Sequence, residues 1–229
     1  MNKTISALSL IGLLCVSLTG FAGELAPSLP SNRQEVQTAL QALRPQSPSQ
    51  VRVGEFAAVD TTETLQGTSP VVRLQEATTI LEKYENNNSF QFRIVYDRAE
   101  YRNGQVFYRS EQGQVVFQKG EPTIFENIAF GEYSNLKSEV VMINVPEKVL
   151  KRKNCGGLDG CPEQVPGRKV SFEFRDRNGR TWQYEVWGSP AVPFLATPMK
   201  LCATTAAPYG DHELNVTTCK EMKDFSAGR

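Results

Sequence analysis

From Val51 onward, apolar and polar residues alternate in short runs: VRVGEFAAVD, FQFRIVYD, QVFYRS, QVVFQ, EVVMINV, KVSFEF and TWQYEVW. A period of two sends successive side chains to opposite faces, and β-branched and aromatic residues fit that pleated state best. Gly, Asn and Pro separate the runs, which predicts antiparallel strands joined by tight turns. Upstream the period changes. SNRQEVQTALQALRP places Val36, Ala39, Leu40 and Leu43 at helical spacing, with Asn32 and Glu35 as a capping box and Pro45 as the stop. A helix this short is marginal alone, so it is expected to dock on the sheet, with a partner-binding arm as the alternative. VVRLQEATTILEKYE is ambiguous. Leu74, Ala77, Leu81 and Tyr84 fit a helix, whereas Thr78-Thr79-Ile80 and the following NNNS fit a hairpin arm, and the balance leans to strand. Pro122 and Gly131 bracket one expected helical turn. The fold class that follows is mainly β: an antiparallel sandwich or partly open barrel, with one short N-terminal helix covering an edge or mouth.

Arg-Asn-Gly occurs twice, at 102–104 and 177–179, each time between apolar alternations. Asn-Gly there is a strong hairpin signal. In the second hairpin a two-residue loop would set every aromatic against a polar residue. A three-residue loop with Gly179 left-handed pairs Phe174 with Trp182, Phe172 with Tyr184 and Val170 with Val186, making one face wholly apolar. The same loop at 102–104 sets Asp97 opposite Arg109, whereas the shorter one opposes Arg98 and Arg109. Both hairpins are therefore expected to take the three-residue turn, with positive φ at Gly104 and Gly179.

The first residues change the setting. Lys3, an apolar stretch from Ile5 to Phe21, and small Gly20 and Ala22 have the layout of a secretory leader. The expected organisation is a signal peptide over 1–22, a helix with Pro/Ser-rich connectors over 23–50, and a single β-rich domain over 51–229. The product is expected in a bacterial periplasm or outside the cell. Without Cys15, four cysteines remain, and an even count in an exported chain reads as disulfides. Proximity along the chain favours Cys155–Cys161 and Cys202–Cys219, with Gly156, Gly157 and Gly160 easing the small loop. A zinc site would want closer cysteine pairs and more than one histidine, and a redox pair would want Cys-x-x-Cys. Neither a metal nor a cofactor is expected.

The chain carries 25 basic and 25 acidic side chains, so no basic excess points to nucleic acid. Candidate chemistry is sparse. Trp182, Tyr184, Trp187 and Phe194 form the most aromatic stretch, either core or a platform for sugars or an apolar ligand. Within WGSPAVPFLATP, Pro190, Pro193 and Pro198 cannot continue a central ladder, so its Val192, Phe194, Leu195 and Met199 either fold back as a lid or form a contact site. Lys151, Arg152, Lys153, Arg168 and Lys169 flank the small cysteine loop and could meet an anionic partner. His212, the sole histidine, stands between Asp211 and Glu213, but no Gly-x-Ser-x-Gly elbow accompanies it. Asp176 and Asn178 resemble a fragment of a calcium loop whose other ligands are missing, so a plain turn is favoured. No catalytic residue is assigned. The reading that follows is an exported, non-catalytic binding or envelope-associated module. Its partner would be an apolar ligand, a cell-envelope polymer or another envelope protein. A carrier of a lipid or other apolar ligand in an open barrel and a carboxylate-dependent hydrolase are the alternatives.

Overall fold

A computed structural model describes residues 31–43, 48–119, 131–209 and 212–228. The leader expected over 1–22 and the helical turn expected after Pro122 lie outside the described residues. Among the described residues, nine strands follow one helix, α1 (Ser31–Gln41): β1 (Glu55–Leu65), β2 (Val71–Glu85), β3 (Ser89–Arg102), β4 (Gln105–Gln118), β5 (Glu132–Asn144), β6 (Gln164–Arg175), β7 (Thr181–Gly188), β8 (Lys200–Tyr209) and β9 (His212–Ala227). A single helical turn, α2 (Glu147–Leu150), precedes the small disulfide loop. The strands form one antiparallel sheet in the order β4-β3-β2-β1-β9-β8-β7-β6-β5. The ambiguous stretch 71–85 is a strand along its whole length. QVFYRS and QVVFQ merge into β4, because the polar residues between them keep the alternation and impose no turn.

The sheet curls without closing. One buried cluster joins Phe92 and Val115 near one edge to Phe172 and Phe174 near the other, and Val36 and Leu40 of α1, with Leu43 in the turn after it, lie inside it. The helix thus docks in the mouth of a partly open barrel, beside β5 and β6. Gly188 allows the close approach, since a Cβ there would stand 2.9 Å from the Cβ and carbonyl oxygen of Leu43. The capping box is displaced. Asn32 lies within α1 rather than ahead of it, because the first N–H groups make no intrahelical bond and leave a helix start weakly specified. A second cluster gathers Val149, Leu158, Val192, Met199, Met222 and Phe225 under the small disulfide loop.

Both disulfides join as expected, Cys155 to Cys161 and Cys202 to Cys219. The second links directly opposed residues of β8 and β9. The β6–β7 hairpin takes the expected register, with Val170, Phe172 and Phe174 facing Val186, Tyr184 and Trp182. Gly179 has φ +80°, and Asp176 Oδ1 accepts from the N–H groups of Asn178 and Arg180, both at 2.9 Å, so this aspartate serves the turn. The β3–β4 hairpin departs from expectation. Arg98 stands opposite Arg109, and only Asn103 and Gly104, at φ +50° and +74°, form the turn. Pairing at the far end outweighs the like charges: this register faces Phe90 with Phe117 and Phe92 with Val115 in the core. A slip by one would bring Gln114 opposite Phe92. The charges are answered locally, Arg98 by Glu100 at 3.7 Å and Arg109 by Glu111.

Candidate functional site

Alternation and register give the inner face of β9, β1, β2 and β3 three successive cross-strand rows. Phe225, Ala57, Thr78 and Tyr96 form one, Met222, Val59, Glu76 and Arg98 the next, and Lys220, Thr61, Leu74 and Glu100 the third. The first row borders the apolar core. The other two mix Met222, Val59 and Leu74 with the polar Lys220, Thr61, Glu76, Arg98 and Glu100. Lys220 Nζ reaches Glu76 Oε2 at 2.7 Å across β1, with side chains only 17% and 9% exposed. The Tyr96 hydroxyl donates to the other oxygen of Glu76. A pair this enclosed gains stability only when its remaining bonding capacity is met, so its surroundings matter. Two neighbours hold capacity in reserve. Thr61 is 6% exposed and its hydroxyl has no hydrogen-bond partner in the protein, and Arg98 Nε is buried and equally unpartnered. Buried polar atoms are normally satisfied, so two orphans on one face mark where a polar group would be held.

The aromatic candidates divide between the two faces. Trp182 and Tyr184 point inward; Tyr184 is buried, stacks on Phe172 at 5.1 Å between centroids, and its hydroxyl is pushed up to about 12 by burial. Tyr133, beside Phe172 and Phe174, is raised as well, chiefly by burial. Trp182 is half-buried under the guanidinium of Arg180, 4.6 Å from its ring centre, while Arg180 Nε donates to Thr205 Oγ1 at 3.1 Å. Trp187 points to the outer face, flanked by Lys169 and Lys200 at 5.0 and 5.3 Å. Phe194 is 6% exposed and meets Phe117 edge-on at 5.6 Å. The proline-rich segment folds back over the core, burying Val192, Phe194, Ala196 and Met199. Its anchor is Glu55, 1% exposed, whose Oε1 accepts the Leu195 N–H at 2.6 Å. Burial raises the Glu55 carboxyl to about 7, against backbone N–H bonds from Leu195 and Arg52 and the charges of Arg52 and Lys83.

The basic candidates do not form one free patch. Lys151 pairs with Glu147 at 2.6 Å, and Lys169 with Glu185. Arg152 is half-buried, bonded to Asp224 at 2.6 Å and to the Phe225 carbonyl at 3.2 Å, so it ties the cysteine loop to β9. Lys153 and Arg168 are exposed, Arg168 on the face opposite Lys169. Asp211 lies outside the described residues, and of His212 only the backbone is described. Among the described residues, no three His, Cys, Asp or Glu side chains gather where a metal could bind. The Glu76–Lys220 group was not legible in the sequence, since its members lie on four strands and no spacing links them.

No protein-family model and no curated protein matches this chain. Among solved structures, a "putative lipoprotein" from Parabacteroides distasonis aligns at 8% identity over 76% of this chain and 96% of its own, with a TM-score of 0.35. Full-length peroxisomal multifunctional enzyme type 2 from Drosophila melanogaster aligns at 10% identity over 76% of this chain and 37% of its own, with a TM-score of 0.16. Likenesses this loose carry no argument. The class rests on the molecule itself: a disulfide-stapled, open antiparallel sheet curled around a helix, of the kind suited to an oxidising compartment.

Proposed function

We propose that this is an exported, non-catalytic binding module of the cell envelope, which holds a polar ligand or polymer segment on the inner face beside Glu76 and Lys220. The observation behind the reading is the pair of buried, unpartnered polar atoms, Thr61 Oγ1 and Arg98 Nε, on the same face as that ion pair. Half-buried Trp182, covered on one side by Arg180, offers what remains of its ring to a sugar or other flat surface. The other aromatic and basic candidates support the reading less, because Phe194 and Tyr184 are core and three of the five cations already have partners. The leader over 1–22 and a periplasmic or extracellular destination belong to the same proposal.

A carrier of an apolar ligand is the second reading. Val36, Leu40 and Leu43 fill the mouth with apolar surface where such a ligand would sit, so this reading requires α1 to give way. The hydrolase reading is weaker, since Glu55, the carboxyl with the raised affinity for protons, is enclosed and committed to Leu195. Native mass spectrometry of the protein drawn from its host's envelope separates these. A polar adduct lost on Arg98→Gln or Thr61→Val supports the first reading. A lipid adduct that survives both changes overturns it in favour of the carrier.

A further inference from the structure

β4 is one edge of the sheet and, among the described residues, pairs only with β3. The opposite edge is guarded: β5 shifts register between Ser134 and Lys137, holds Asn135 at φ +55°, and has α1 beside it. Irregularity, lysine and a covering element are how proteins blunt a sheet edge. Among the described residues β4 has no lysine, no irregularity and no covering element. Its 14 residues contain no proline and follow β3 in unbroken register, and Val106, Phe107 and Tyr108 stand exposed, Tyr108 at 81%.

The backbone fixes which residues could receive another strand. Lys119 N donates to the Asn88 carbonyl at 2.8 Å, so odd-numbered residues of β4 turn their N–H and C=O toward β3. Even-numbered residues turn theirs outward. We propose that this edge pairs antiparallel with β4 of a second copy of the chain, across a twofold axis at Ser110. Ser110 then faces its counterpart, Tyr108 faces Gln112, and Val106 faces Gln114, giving about ten new backbone hydrogen bonds.

The inner-face side chains select that axis. Arg109 meets Glu111 of the second copy, twice by symmetry, and Phe107 lies over Gly113, which has no Cβ to obstruct it. An axis at residue 108 would oppose Arg109 to Phe107, and one at 112 would oppose it to Val115. Both leave Arg109 with only Glu111 of its own strand and no opposite charge across the new ladder, whereas an opposite-charge pair across a ladder favours pairing. The inference stands independently of the binding function proposed above.

Sedimentation equilibrium of the full exported chain tests it. At tens of micromolar the wild type should sediment at twice the monomer mass. Arg109→Glu should raise the dissociation constant at least tenfold, and Arg109→Glu with Glu111→Arg should restore the dimer, which a general loss of charge would not. Ser110→Pro removes an outward N–H without touching the bonds to β3, so it should give a monomer with an unchanged circular dichroism spectrum. If that variant misfolds, the charge exchange alone decides. A wild type at monomer mass, a dimer indifferent to Arg109→Glu, or an exchange that fails to restore association each overturns the proposal.

Discussion

Replacing Glu55 by glutamine should flatten the pH dependence of stability. The carboxyl is 1% exposed and anchors the 189–199 segment through Leu195 N–H, a bond that the glutamine oxygen can still accept. Burial raises its pKa from 4.5 to about 7, so the folded state binds the proton more tightly than the unfolded chain. The stabilisation is therefore fully present below pH 4.5 and is lost as pH rises through 7. At about 1.4 kcal/mol per pKa unit, the whole shift amounts to about 3 kcal/mol, of which roughly 2.5 kcal/mol disappears between pH 5 and pH 8. Urea denaturation of wild type and Glu55→Gln at those two pH values isolates the effect, since other titrating groups are shared. The wild type should lose about 2.5 kcal/mol more than the variant over that interval. A difference under about 0.5 kcal/mol, or one of opposite sign, would refute the reasoning. It would mean that water or a cation reaches Glu55 and that the segment is not sealed over it.

Two further outcomes follow from packing and covalent structure. Gly188→Ala would bring a methyl 2.9 Å from the Leu43 Cβ and its carbonyl, so α1 must shift; denaturation should show a loss of about 1–3 kcal/mol, with α1 becoming sensitive to protease first. Replacing both Cys202 and Cys219 by alanine should cost about 3 kcal/mol by the loop-closure estimate, and opening the shorter Cys155–Cys161 loop about 2.4 kcal/mol. Equal losses for the two, measured by urea denaturation, would argue against loop length as the cause.

Local patterning by itself determined a good deal of this protein. Alternation marked most of the strands, the spacing of Val36, Leu40 and Leu43 marked the helix, and proximity along the chain paired the cysteines correctly. The β6–β7 register was legible because every aromatic in it lies within a dozen residues of the turn. The β3–β4 register was not, because the deciding contacts, Phe90 with Phe117 and Phe92 with Val115, lie at the far end of the hairpin. Charges beside the turn were the nearer signal and the weaker one. β8 and β9 escaped notice, since Ala-Thr-Thr-Ala-Ala and Asn-Val-Thr-Thr lack alternation; their neighbours and the Cys202–Cys219 bridge hold them extended. Tertiary structure alone decided where side chains meet. It buried Phe194, sent Trp187 outward, committed Arg152 to Asp224, and brought Glu76, Lys220, Tyr96 and Arg98 together from three strands. Period and turn chemistry act over a few residues, whereas a site assembled across a sheet depends on strand order, which no local spacing encodes.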